Sequence, residues 1–383
     1  MTQDAAGRAR ARELGLAPGA LPAGPANAIT DVPGVRVGHA TLIEGSDIRT
    51  GVTAIVHDAL LGGAAGAGHG SEAGPGMLPA GLSVLNGFGK MVGATQLTEL
   101  GGIETPVLLT STLSVFRVAD FLLSYLHGLP GNEEIGTLNP VVAETNDGFL
   151  SDIWARPITE RHVRDAISSA AGGPVAEGCV GAGTGTAALG FKAGIGTASR
   201  VAEWAAVPVT LGVLVQANFG NELTVLGVPI LPAGALAADG ALADSHRDDD
   251  AAGNSCVIVL ATDAPLDSRQ LTRLANRAFA GMARTGSDFS ASSGDYALAF
   301  STAARQVAAS QHHRVSGKDL DVLFRAAIEA TEEAILNSLF MAVTMTGFRG
   351  HIRHAVPLGY VRQLVGATPL AAGGGHWQIS TPE

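Results

Sequence analysis

Gly253-Asn254-Ser255-Cys256-Val257-Ile258-Val259-Leu260-Ala261-Thr262 is where the chain changes character, and its reading decides the fold. From Cys256 onward the run is continuously apolar and rich in β-branched residues, the pattern of a strand covered on both faces. Upstream, residues 231–254 are rich in Ala and Gly and run into Asp248-Asp249-Asp250, the composition of an exposed connecting segment. A buried strand therefore starts where a linker stops. Working outward, residues 266–284 have helical spacing with Asp267 placed to cap them. Residues 295–302 read as a second buried strand and 320–345 as the longest helix. Toward the N-terminus, residues 35–37, 51–56, 82–88, 106–111 and 207–217 read as strands. Residues 94–100, 114–128 and 162–171 read as helices, and the Gly-rich stretches 61–76 and 178–196 as loops. Buried strands interspersed with helices predict a layered α/β or α+β core in which helices cover sheets.

Of 383 residues, 46% are apolar and only 15% charged, which is ample for a large core. Length leaves open two domains or one large layered domain. The 51 glycines have no period, which excludes a collagen-like repeat and points to many tight turns. A net charge of −11 argues against a nucleic-acid partner, which needs a basic patch. The densest basic cluster is Arg8, Arg10 and Arg12, in a stretch, residues 1–28, that reads as a poorly ordered, solvated arm. Residues 29–383 form the expected single domain. No apolar run approaches the roughly 20 residues of a membrane helix, and no signal-peptide pattern follows the basic start. Cys179 and Cys256 make neither a metal pattern nor a disulfide framework and fit a reducing cytoplasm.

Taken alone, Asn254-Ser255 is an ordinary turn pair, and serine often opens a strand. A chemical reading is also available. A serine hydroxyl can attack the carbonyl just before it, giving an ester that water hydrolyses. The cut gives Ser255 a free α-amino group, whose ordinary pKa of about 7.7–8.0 leaves part of it neutral near pH 7. That amine can serve as general base for its own hydroxyl, with no histidine required.

Several stretches in order carry a resemblance: residues 29–41 (ITDVPGVRVGHAT), 50–55 (TGVTAI), 140–150 (PVVAETNDGFL), 181–200 (GAGTGTAALGFKAGIGTASR), 215–220 (VQANFG), 253–266 (GNSCVIVLATDAPL), 293–301 (SGDYALAFS) and 329–347 (EATEEAILNSLFMAVTMTG). In these the sequence resembles the self-processing serine aminopeptidases of the DmpA type, which include the β-peptidyl aminopeptidases. The resemblance implies an α+β fold, a four-layer αββα sandwich with two central sheets flanked by helices. It also implies autocleavage between Asn254 and Ser255 into subunits 1–254 and 255–383 that stay together, and assembly into an oligomer, a tetramer of processed units.

The same resemblance implies roles for matching residues. Ser255 is the nucleophile, and Asn218 gives its side-chain amide to the oxyanion. Ser293 hydrogen-bonds the new α-amino group, and Asp295 orients that network where the family often has Glu. Glu144 pairs with the ammonium group of the substrate. Asn146 stands where relatives carry an aromatic wall of the pocket. Substrates are then short peptides, amides or esters with a free amine, and no metal or organic cofactor is implied. Two alternatives remain at this stage: an ornithine acetyltransferase-like acyl transfer, although that activity uses threonine, and a non-catalytic small-molecule-binding relative.

Other signals carry less. Gly183-Thr184-Gly185-Thr186-Ala187-Ala188 fits a loose dinucleotide pattern with no acid-terminated strand after it and reads as a loop framing the cleft. His312-His313 has no acidic partner at helical spacing and reads as a surface pair. His39, His57 and His69 are scattered in turns and receive no role.

Overall fold

The computed structural model describes residues 7–62, 76–204, 206–238, 254–303 and 317–368. In chain order the main strands are β1 (Arg36–Glu44), β2 (Ile48–Val56), β3 (Leu78–Gly87), β4 (Met91–Val92), β5 (Gly102–Ile103), β6 (Val107–Ser111), β7 (Val141–Thr145), β8 (Ile195–Trp204), β9 (Val207–Asn218), β10 (Ser255–Thr262) and β11 (Gly294–Ser301). The helices are α1 (Ala94–Leu100), α2 (Val115–His127), α3 (Glu160–Ser168), α4 (Pro232–Ala238), α5 (Ser268–Arg284), α6 (Gly317–Phe340) and α7 (Leu358–Ala367).

Two sheets form. One has the order β1-β2-β6-β7-β4, the other β8-β9-β10-β11-β3-β5. The apolar run after Ser255 explains how they stack. Side chains alternate faces along a strand, and both faces of β10 are buried. Cys256, Ile258 and Leu260 join Leu271 and Leu274 of α5 and Leu323 and Ala334 of α6 in one cluster. Val257, Val259 and Ala261 join Val107, Leu109 and Val141 of the other sheet in a second. The outer face of that other sheet, including Val52, Ala54 and Leu108, is covered by Val118 and Leu122 of α2 and Val163 and Ala166 of α3. The layers are thus helix, sheet, sheet, helix, an α+β sandwich as expected.

Local chemistry fixes several boundaries. The Asp267 side chain accepts from Gln270 N at 2.7 Å, and the Gln270 side chain accepts from Asp267 N at 2.8 Å, a reciprocal cap on α5. The stretch from Pro140, quoted above only for its resemblance, opens with β7, whose five residues are all buried. The 178–196 loop contains a 3-10 turn at Gly181–Gly183 and a short pairing of Ala187–Ala188 with Phe191–Lys192 before β8 begins. The linker read at 231–254 begins as α4; residues 239–253 lie outside the described residues, as do residues 63–75 and His312-His313.

The N-terminal stretch departs from expectation. Where described, it is docked rather than solvated. Ala11 is fully buried, and its N–H donates to Asn337 Oδ1 on α6 at 2.9 Å. Arg10 pairs with Glu177 at 2.7 Å and Arg12 with Glu333 at 2.8 Å. Arg8 donates to Val356 O and Leu339 O, the latter a carbonyl of the last turn of α6, where a cation is favoured. The three arginines are anchors, because each meets a carbonyl or a buried carboxylate supplied by distant sequence.

Candidate active site

Strand register creates the centre of the site. β9 and β10 are antiparallel with Asn218 directly opposite Ser255. Cross-strand partners share a face, and for Ser255 it is that of Val257 and Val259, toward the other sheet. Across that gap lies the backbone just after β7. Asn146 N–H donates to Ser255 Oγ at 3.2 Å, and Asn146 C=O accepts from Asn218 Nδ2 at 3.0 Å. Asn218 Nδ2 also reaches Ser255 Oγ at 3.5 Å. On its other side, Asn218 Oδ1 accepts from Ala187 N at 3.1 Å. Ala187 is held by the preceding loop, where Thr184 and Thr186 donate their hydroxyls to Gly181 O and Gly183 O. These two threonines fold the loop that orients Asn218. Ser255 and Asn218 are each 3% exposed, so this polar pair sits almost out of water.

The peptide bond ahead of Ser255 is gripped. Asn254 C=O accepts from Gly294 N at 3.1 Å, a consequence of the parallel register of Ser255 with Gly294. Asn254 Oδ1 accepts from Gly220 N at 3.0 Å, and its Nδ2 donates to Ser290 Oγ at 2.9 Å.

Ser293 precedes that Gly294 partner, so β11 brings it beside the start of β10. Ser293 Oγ donates to Asp295 Oδ1 at 2.7 Å, and Asn86 Nδ2 on β3 donates to Asp295 Oδ2 at 2.9 Å. Aspartate therefore reaches Ser293 in spite of its short side chain. Burial pushes the Asp295 carboxyl up, and the bonds from Asn86, Ser293 and the Cys256 backbone oppose that.

Glu144 lies near the end of β7, two residues before Asn146. Its Oε1 accepts from Lys90 N at 2.9 Å and faces Lys90 Nζ at 3.5 Å. Its Oε2 is buried and has no hydrogen-bond partner among the described residues. Tyr296 is close by, its phenol pushed up first by burial and then by the Glu144 charge. The Asn146 side chain points into its own turn, accepting from Gly148 N at 3.0 Å. Beside it, Asp147 is buried with Oδ1 held by Ser111 Oγ at 2.7 Å.

The structure thus gathers Ser255, Asn218, Asn146 and Asn254 into one contact network and Ser293 with Asp295 into a second beside it. Glu144 stands at the same end of β7. Sequence reading missed Asn86, Lys90, the Asn146 and Gly294 N–H groups and the grip on Asn254. Backbone donors leave no residue-type signal, Asn86 meets Asp295 only through the pairing of β3 with β11, and Lys90 follows a Gly-rich stretch that resembles surface.

Two stacked sheets between helix layers, with a serine heading a central strand, define a serine-type hydrolase of the N-terminal-nucleophile fold. The chain belongs to peptidase family S58, whose family model matches residues 27–353. It is 40% identical over 382 residues to the β-peptidyl aminopeptidase BapA of Sphingosinicella microcystinivorans, covering 93% of this chain and 91% of that one. Among solved structures it superposes on the L-aminopeptidase D-Ala-esterase/amidase of Ochrobactrum anthropi, described as a prototype of the serine aminopeptidases and a variant of the Ntn hydrolase fold. The TM-score is 0.78 and the identity 35%, over 93% of this chain and 98% of that one. A Burkholderia sp. β-aminopeptidase gives 0.76 and 38%, over 93% and 99%. The chain is accordingly a serine-type aminopeptidase, and the acetyltransferase-like alternative is not favoured. No helix among the described residues is long and apolar enough to cross a membrane.

Proposed function

We propose that the chain cuts itself between Asn254 and Ser255 and then removes the N-terminal residue from short peptides, amides or esters through an acyl-enzyme on Ser255. The observation that carries this reading is the double grip on the junction. The Ser255 hydroxyl lies under the Asn146 N–H and the Asn218 amide, while the Asn254 carbonyl is polarised by the Gly294 N–H.

In self-cleavage, Ser255 Oγ attacks the Asn254 carbonyl carbon, and the Gly294 N–H supports the oxyanion. The C–N bond breaks, the acyl group moves to oxygen, and the Ser255 nitrogen leaves as a free amine carrying the proton that the hydroxyl gives up. Water then hydrolyses the ester. In turnover the α-amine takes the hydroxyl proton as Oγ attacks the substrate carbonyl, and hands it to the leaving group. Asn218 Nδ2 donates to the oxyanion. Ser293 and Asp295 hold the α-amine. Water, or another amine, releases the acyl group.

Glu144 recognises the substrate ammonium, a role that suits a buried carboxylate with one oxygen unused. The Asn146 side chain, turned into its own loop, lines the acyl pocket without supplying an aromatic wall. The names of the relatives make β-aminoacyl amides, L-aminoacyl amides and D-alanyl esters the substrates to assay. The oligomer is a tetramer of processed units, by resemblance, and the compartment is the cytoplasm, a reading supported by two free thiols.

Denaturing intact-mass analysis tests the core of this reading. Chains of residues 1–254 and 255–383 are expected, with Ser255→Ala giving one uncut chain and no p-nitroanilide hydrolysis. A single full-length wild-type chain after prolonged incubation would overturn it.

A further inference from the structure

We propose that Lys90 makes the amine subsite bipolar, so that the favoured acyl residue carries an anionic group beside its ammonium. This rests on the reading of Glu144 as the ammonium acceptor and adds a second charge requirement to it.

β4 and β7 pair antiparallel with Met91 opposite Ala143, so Lys90 and Glu144 meet at the next position, beyond the last sheet pair. Lys90 takes Glu144 from two directions, with its backbone N–H at 2.9 Å and its ammonium at 3.5 Å, both on Oε1. The ammonium also donates to Thr112 Oγ1 at 2.7 Å. A lysine ammonium has three donors, and these contacts use two. The Lys90 side chain is 37% exposed while that of Glu144 is 3% exposed. One buried acceptor, Oε2, and one accessible donor, on Nζ, therefore stand side by side.

Charge balance gives the ligand class. Lys90 and Glu144 neutralise each other. A substrate ammonium added at Oε2 leaves the subsite with a net positive charge in a largely buried place, where unbalanced charge is costly. A carboxylate next to the ammonium, donated to by Nζ, restores neutrality. The matching substrates are acidic aminoacyl groups. A β-aspartyl group has both charges on one carbon, and an α-aspartyl group has them on neighbouring carbons.

The test compares kcat/KM for two matched pairs of p-nitroanilides on the self-processed enzyme. The first is β-aspartyl against 3-aminobutyryl and the second α-aspartyl against 2-aminobutyryl; each pair differs in whether a carboxylate is present. In the wild type the acidic member of at least one pair is favoured by about tenfold or more, the scale of one well-placed charge contact. Lys90→Met removes that preference, read as the acidic-to-neutral ratio within each pair whatever the variant does to absolute rates, and Lys90→Arg keeps it. Intact mass shows that each variant has processed itself and is folded. Ratios unmoved by Lys90→Met, or an acidic member not favoured in either pair, would overturn the proposal. Glu144→Gln separates the two readings. If it slows 3-aminobutyryl hydrolysis while Lys90→Met leaves the ratios alone, the ammonium site stands and the bipolar subsite falls. If Glu144→Gln changes nothing, both fall.

Discussion

Asn218 and Ser255 are directly opposed residues of two antiparallel strands, with the Asn218 amide nitrogen 3.5 Å from the Ser255 hydroxyl oxygen. The pairing is set by register. A slip of one residue would turn one of the two side chains onto the helix-facing side of the sheet. The amide is held at both ends, by Ala187 N–H on its oxygen and by Asn146 C=O on its nitrogen. A donor fixed before reaction needs no reorganisation when negative charge develops, which is the condition for strong oxyanion stabilisation.

Asn218→Ala is therefore expected to lower kcat by about 10²–10³, with KM changed much less, because the bond strengthens only as the carbonyl becomes tetrahedral. Steady-state kinetics on processed enzyme check this. A kcat within a few-fold of wild type would remove Asn218 from the oxyanion site.

Asp295→Asn probes the base. An anion near an amine favours the ammonium form and raises its pKa. If Ser293 and Asp295 support the Ser255 α-amine, removing the charge lowers the pKa of that amine. The acid limb of the kcat/KM profile then moves to lower pH while the plateau drops, because a weaker base drives proton transfer less well. The amide oxygen of the substituted side chain can still accept from Ser293, while its NH2 can no longer accept from Asn86, which keeps Phe289 O and Ser290 O as acceptors. An acid limb that stays in place would mean that the carboxylate does not act on the base.

How much of this was legible in the sequence depends on the range of the interaction. β10, β11 and the capped helix α5 were readable because apolar periodicity and a cap are local signals. Ser255, Asn218, Ser293, Asp295 and Glu144 came from motif resemblance, and the structure places them at one end of the sandwich. The partner of Asp295 was not legible, since Asn86 lies 209 residues away on a strand joined only by sheet pairing. Lys90 was hidden for a similar reason: a lone lysine among glycines looks solvated until β4 brings it to Glu144. Arg10 and Arg12 were misread as a free arm because Glu177 and Glu333 are distant in sequence.

Asp147 should make stability depend on pH in a direction unusual for a carboxylate. Burial pushes its carboxyl up from 3.8 to about 6, against the bond from Ser111 and with help from the Glu144 charge. Oδ2 has no partner among the described residues, and Thr50 lies alongside without a well-formed bond. Through the window between 3.8 and about 6 the unfolded chain loses the proton while the folded chain keeps it. The folded state then binds more protons, so stability falls as pH rises, by on the order of 3 kcal/mol once both forms are ionised. Asp147→Asn keeps an acceptor for Ser111 and removes the titration. It is expected to match wild type at the acid end of the window and to be more stable at pH 7, as measured by denaturant midpoints. Parallel midpoint curves for the two proteins would sink this.

Gly196→Ala tests the seating of α6 on the sheet. Along β8, Gly196, Ala198, Arg200 and Ala202 share the face turned to that helix, and the three small residues let its backbone come close. A Cβ on Gly196 would lie 1.9 Å from Ala334 O and 2.5 Å from Ser338 N, both backbone atoms. Rotamer changes cannot relieve such contacts, so α6 has to lift. Lifting strains the buried pairing of Arg200 with Glu329 and Glu333 and the Asn337 bonds to Thr197 O and Ala11 N. Overpacking of this kind costs about 1–3 kcal/mol, and more where a buried ion pair is disturbed. The thermal midpoint should fall by several degrees. Because β8 registers β9, whose last residue is Asn218, the variant should also cut itself more slowly than wild type, as followed by intact mass over time. An unchanged midpoint with normal self-cleavage would mean that α6 does not sit against Gly196.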